Sequence, residues 1–133
     1  MYIELNDNTR LKEIQDVFSD FYPYLQMNFY WKTHKKYETS SLIELVSPDT
    51  PIGNLRRTHV SGLLEIQPLN KVADVEREFQ QRFGLSVQIL RKEKNKWEQT
   101  TGMDDFTLKE LNEFGRSSSD EFIMEDLEQG SEE

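Results

Sequence analysis

Two stretches of this chain carry apolar residues in the same order, and that repeat limits what it can fold into more than any other feature. Ile3-Glu4-Leu5 aligns with Leu64-Glu65-Ile66. At the same offset Leu11 falls on Val72, Ile14 on Val75 and Phe18 on Phe79. One residue of slippage places Leu25-Gln26-Met27 on Val87-Gln88-Ile89. A further slip places Lys36-Tyr37-Glu38-Thr39-Ser40-Ser41 on Lys96-Trp97-Glu98-Gln99-Thr100-Thr101. Three blocks in one order, with the gaps where turns should fall, point to an internal duplication. The competing explanation is that any two β-α-β-β units look this similar through patterning alone.

Each copy reads as strand, helix, strand, strand. Tyr2 to Leu5 is a short strand, and Asp7, Asn8 and Thr9 offer side-chain oxygens to cap the helix that follows. Leu11, Ile14, Phe18, Phe21 and Tyr22 recur at three and four residues until Pro23 ends the helix. Leu25, Met27, Phe29 and Trp31 alternate with polar or less apolar neighbours, and Tyr37 to Val46 can return antiparallel. In the second copy the strand is Gly62 to Gln67. Pro68 and Asn70 introduce a helix with the stripe Val72, Val75, Phe79 and Phe83, and Gly84 suits a left-handed position just past its end. Ser86 to Glu93 and Lys96 to Thr101 form the second hairpin. Thr107 and Glu110 form a capping box for a helix of two turns that stops at Gly115.

The expected fold class is therefore α+β. Two tandem β-α-β-β repeats share one mixed sheet with both helices on one face, because a helical crossover makes the first two strands of each unit parallel. The units are residues 1–46 and 61–115, joined by a linker at 47–60 that begins with the turn-forming Ser47 to Gly53. A short C-terminal helix closes the second unit, and residues 116–133 form an acidic tail expected to be disordered.

Charge divides the chain at the same place. The formal net charge is -9. Residues 104 to 133 hold eleven Asp and Glu against Lys109 and Arg116, which accounts for all of it. The body is balanced, so its partners cannot be inferred from net charge. There is no cysteine, which excludes disulfides, thiolate metal sites and cysteine catalysis. The opening Met-Tyr-Ile-Glu-Leu-Asn-Asp lacks a basic and apolar leader, and no apolar run approaches a bilayer span, so a cytoplasmic protein without membrane contact is expected.

Phe83-Gly84-Leu85, Val87-Gln88, Arg91-Lys92, Trp97, Thr100-Thr101, Asp105, Thr107-Leu108 and Asn112 resemble a pattern in a family of small uncharacterised bacterial proteins. The resemblance covers about thirty residues of the second half and implies a bacterial source and a freestanding small domain. It implies no activity, cofactor or site residue.

Candidate sites fall in three groups. Lys32, Lys35 and Lys36 lie on one hairpin, Arg91, Lys92, Lys94 and Lys96 on the other, and Arg56 and Arg57 in the linker. Together they can bind phosphates, a nucleic acid or an acidic partner, with Trp31, Tyr37 and Trp97 near enough to stack on bases. Lysine on an exposed hairpin is also ordinary solubility and edge protection. His34 and His59 are the only histidines; Arg56-Arg57-Thr58-His59 can cradle an anion, but no orienting carboxylate or pocket is visible for either histidine. Asp104-Asp105 suits a helix N-terminus better than a metal. No phosphate loop, zinc spacing or nucleophile elbow is present, so neither cofactor nor metal is expected and an enzyme is the less favoured class.

The tail carries the third group. Phe122, Ile123, Met124 and Leu127 are embedded among acids, a composition that commonly folds on a partner's groove. The expected function is a binding or adaptor protein that engages a protein partner through this tail. The alternative is a nucleic-acid or phosphate binder whose basic turns are masked by the tail. Homodimer formation through an open edge strand is compatible with both.

Overall fold

The computed structural model describes residues 1–31, 45–57, 59–100 and 102–131, with side chains through residue 120. The elements run β1 (Tyr2–Leu5), α1 (Leu11–Phe21), β2 (Leu25–Tyr30), a 3-10 turn (Ile52–Asn54), β3 (Gly62–Glu65), α2 (Val72–Phe83), β4 (Ser86–Glu93), β5 (Lys96–Gln99) and α3 (Leu108–Ser131). The class is α+β, as the pattern predicts. The expected return strand, Tyr37 to Val46, lies mostly outside the described residues; its end is seen where Leu45 bridges Tyr30 and the Val46 amide donates to Phe29 O at 2.8 Å.

The single mixed sheet is not formed. The described strands make two antiparallel sheets, β1-β3 and β2-β4-β5. Strands separated by a helix in sequence do not pair with each other. Each pairs instead with its counterpart from the other half of the chain, so no ladder among the described strands is parallel. Ile3 stands opposite Leu64 in the first sheet, and Met27 opposite Ile89 in the second. The inner faces carry the apolar alternates: Leu25, Met27 and Phe29 on β2, Val87 and Ile89 on β4. Helix α1 packs on β2 and α2 on β4. Their stripes, Leu11, Ile14 and Phe18, and Val72, Val75, Phe79 and Phe83, close one core with Leu5, Leu64 and Ile66. Phe29 meets Phe79 edge-on, with ring centroids 5.7 Å apart.

The helix N-termini are held differently from expectation. Arg10 and Lys71 are the capping positions. Thr9 accepts backward from the Asn6 amide at 3.1 Å, as Asn70 does from Gln67 at 2.7 Å, so neither side chain faces its helix. The first amides of α1, Leu11 and Lys12, donate to Thr50 O and Pro48 O. Those of α2, Val72 and Ala73, donate to Phe106 O and Asp104 O. Backbone carbonyls thus satisfy the donors that a helix start leaves open. The segment beginning at Ser47 is consequently an integral part of the fold, with Ile52 fully buried.

Gly84 has φ 66 at the end of α2, as expected. Gly115, expected to stop the last helix, lies inside it. A Cβ there would stand 2.8 Å from Tyr24 Cβ and 3.0 Å from Tyr24 O, so glycine marks a close approach of α3 to the strand edge rather than a terminus. The Thr107–Glu110 capping box forms as expected, each amide donating to the other side chain at 3.1 Å. Leu108, Leu111, Gly115 and Ser118 then give α3 a buried stripe at intervals of three and four residues. Ser118 Oγ accepts from Lys94 N at 2.7 Å, and Ser119 Oγ donates to Lys94 O.

Candidate functional site

Asp7, Arg56 and His59, far apart in sequence, form one cluster. The Arg56 side chain is fully buried. Its Nη2 and Nε donate to Asp7 Oδ1 at 3.0 and 3.3 Å, and Nη1 donates to Phe83 O at 3.2 Å, at the end of α2. The other oxygen of Asp7 lies 2.9 Å from His59 Nδ1. The hydrogen bond from His59, joined by Arg56, holds the Asp7 carboxyl below its ordinary range. A buried guanidinium needs this pairing, since an unpaired charge there would be costly.

The cluster supplies the orienting carboxylate that the sequence hid, because Asp7 lies 52 positions from His59 in the numbering. Fixing Nδ1 leaves Nε2 of His59 for proton transfer. The His59 and Asp7 side chains are half exposed, however, and the site lacks the dry surroundings that catalysis by such a pair uses. As built, the cluster is a clasp: Asp7 ties the turn after β1 to Arg56, and Arg56 ties both to the end of α2.

Beside Arg56 lies a cleft of about 310 Å³, lined by Tyr30, Trp31, Arg57 and Ser86 among others. Trp31 is exposed. Tyr30 is buried, and burial raises the pKa of its hydroxyl, with Asn28 acting against the shift. The volume falls within the range of small-molecule sites.

The described anion-binding candidates are divided between the Asp7 cluster and the β4–β5 hairpin. Arg56 is committed to Asp7 and Phe83. Arg91 pairs with Glu93 and holds that carboxyl below its usual range. Lys92 Nζ stands 5.0 Å from the ring centroid of Trp97, directly across the β4–β5 ladder. Lys94 takes the turn at φ 58 and carries the contacts from α3. Arg57 and Lys96 are exposed, on different parts of the fold. Lys32, His34, Lys35, Lys36 and Tyr37 lie outside the described residues. Phe122, Ile123, Met124 and Leu127 belong to the helical backbone of α3, but their side chains are outside the description.

One residue with an altered charge state went unnoticed in the sequence. Glu76 extends from α2 toward the sheet, where its Oε2 accepts from the Ile89 amide at 3.2 Å. Desolvation, with Asp104 adding repulsion, pushes its pKa up to about 8. The signal was available: Glu76 is four residues after Val72 and three before Phe79, inside the apolar stripe. Nearby, Thr100 Oγ1 donates to Ile89 O at 2.7 Å, and Gln88 is buried beside it.

No group of three or more metal-ligating side chains occurs among the described residues. No helix among them is long and apolar enough to cross a membrane. Comparison with family models, curated proteins and solved structures gives no match.

Proposed function

We propose that this chain is a binding or adaptor protein whose two-sheet body presents the C-terminal half of α3 to a protein partner. The observation that carries the reading is the continuity of α3. Its first half is anchored by Leu108, Leu111 and the close contact at Gly115, and by Ser118 on Lys94. A segment continuing from a fixed helix avoids the unfavourable nucleation that an isolated acidic peptide would face. In this reading the helical segment 121–131 docks on the partner, with Phe122, Ile123, Met124 and Leu127 as anchors. Position 122 follows 118 in the docked register, whereas positions 123, 124 and 127 fall on other sides of the helix. The reading takes the protein as cytoplasmic and bacterial, as its lack of cysteine and its sequence resemblance suggest.

Duplication of an ancestral β-α-β-β unit belongs to the same proposal. It is supported by the register, since the aligned residues Ile3 and Leu64 pair directly, as do Met27 and Ile89. The helix starts support it too: the first two amides of each helix donate to carbonyls two residues apart further along the chain, Thr50 and Pro48 for α1 and Phe106 and Asp104 for α2.

A second reading, a phosphate or nucleic-acid binder masked by its own C-terminal segment, is favoured by one contact: Ser118 and Ser119 lie on the basic β4–β5 turn at Lys94.

The test compares the full chain with one ending at Asp120, which retains the docked part of α3, as baits in a lysate. A protein held by the full chain and lost on changing Ile123, Met124 and Leu127 to Ser supports the adaptor. Nucleic acid held mainly by the shortened chain supports the masked binder. If neither bait retains anything, both readings fail.

A further inference from the structure

The β1-β3 sheet has only two strands, so β3 has β1 on one side and no strand on the other among the described residues. Its hydrogen-bond parity is fixed at one end. The Met1 amine donates to Ile66 O and the Ile66 amide to Met1 O, both at 2.9 Å. Antiparallel ladders alternate bonded and non-bonded pairs. Ile3·Leu64 and Leu5·Gly62 are therefore bonded pairs, and Leu63 and Glu65 direct their backbone N–H and C=O away from β1. Along that edge runs a groove of about 490 Å³ between β3 and α2. Asn70 stands toward one end. At the other, Arg82 lies across Gly62, where a Cβ would come within 2.9 Å of its Nη2.

We propose that this groove takes an extended basic peptide segment as an added strand on β3. Outward-directed amides at alternate residues are what strand addition uses for affinity, and the groove beside them supplies selection. That selection is for positive charge. Glu65, Asp74 and Glu78 line the groove; Glu78 is paired with Arg82 at 3.1 Å and Asp74 with Arg77, outside the lining, at 3.2 Å, which leaves Glu65 as the acid without a cationic partner among the described residues. Among the described residues Glu65 accepts from neutral donors alone, Tyr2 Oη and Gln67 Nε2, so these hydrogen bonds leave its charge uncompensated. The same acids select against other occupants. A second copy pairing β3 to β3 would bring Glu65, Asp74 and Glu78 against their own kind, and the acidic C-terminal segment would be repelled. The inference goes beyond the proposed role of α3 and holds whether or not residues 122–127 engage a partner.

The experiment selects displayed random decapeptides on the full chain, then measures chosen peptides by fluorescence anisotropy at low salt. The expected result is enrichment of Lys or Arg at alternating positions. N-methylation of alternate peptide amides should weaken binding at least tenfold, and Glu65→Lys and Asp74→Lys should each weaken it several-fold while the thermal transition is retained. The methylation comparison needs no protein variant, so it decides even if a substitution perturbs folding. The proposal is overturned if no peptide is enriched, if enriched peptides lack basic character, or if methylation leaves affinity unchanged. It is equally overturned if sedimentation shows a dimer that Leu63→Pro, which removes one outward amide, dissolves.

Discussion

Gln15 and Glu76 reach the same place in the sheet from its two halves. Gln15 Nε2 donates to the carbonyl of Met27 at 2.8 Å, and Glu76 Oε2 accepts from the amide of Ile89 at 3.2 Å. Met27 and Ile89 are direct neighbours across the β2–β4 ladder. One helix thus brings an uncharged amide to this position and the other a carboxyl. The amide is indifferent to pH, whereas the carboxyl is not, since its ionised form is the one that burial disfavours.

Glu76→Gln should flatten the pH dependence of stability. The carboxyl titrates near 8 when folded against an ordinary 4.5, so the folded state holds the proton more tightly. Its contribution is complete below about pH 4.5 and is lost as pH rises toward 8, by at most about 1.4 kcal/mol per unit. Urea denaturation at several pH values should show wild-type stability falling across this window and the variant nearly level. A variant as pH-sensitive as the wild type would refute the assignment.

Gly115→Ala should destabilise the protein although alanine is the better helix former by about 1 kcal/mol. The added methyl would press on Tyr24 Cβ and the Tyr24 carbonyl. Overpacking of this kind costs about 1–3 kcal/mol and should outweigh the propensity gain. Denaturant titration reads the net sign; a rise in stability would mean that α3 can shift off the edge at little cost.

Lys94→Gly should stabilise by about 0.5–1 kcal/mol, because a side chain at φ 58 is strained where glycine is not. The Lys94 backbone contacts to Ser118 and Ser119 survive the change. A lower thermal midpoint would show that the lysine side chain contributes more than the turn strain costs.

Arg56→Ala should lower the thermal midpoint by several degrees, through loss of a buried, fully engaged guanidinium worth about 1–3 kcal/mol. Asp7→Asn should shift the acid limb of the stability profile. The Asp7 carboxyl is held low when folded, so its contribution is present above the ordinary value of 3.8 and is lost as pH falls through the folded value. An acid transition unchanged in the variant would contradict the clasp.

The elements themselves were legible because their signals are local. The stripes of α1 and α2, the alternation in β2, the left-handed Gly84 and the Thr107–Glu110 box each depend on residues within a turn or two of one another. Sheet partnership is not local. Nothing between Leu5 and Leu25 says that β1 will pair with β3 rather than with β2, so the mixed sheet was the simpler expectation. The helix starts were misread for the same reason, since their acceptors, Pro48 and Thr50, come from distant sequence. Gly115 carried an ambiguous signal: a glycine after two helical turns reads as a stop unless the backbone of Tyr24 is known to lie against it. The Asp7–His59 contact is hidden by sequence separation, whereas Glu76 stands inside the apolar stripe of α2, where the local pattern alone marks it.

The way the strands are shared has a consequence for how the chain can be cut. The ladders of β1 and β2 are answered by β3 and β4, so neither half holds its own first sheet. Cleaved within residues 58–61, the two fragments should each be poorly folded alone and should recover structure on mixing, a complementation that needs no added linker. The covalent join between the halves makes their encounter intramolecular, so dilution cannot separate the strands that each half lends the other.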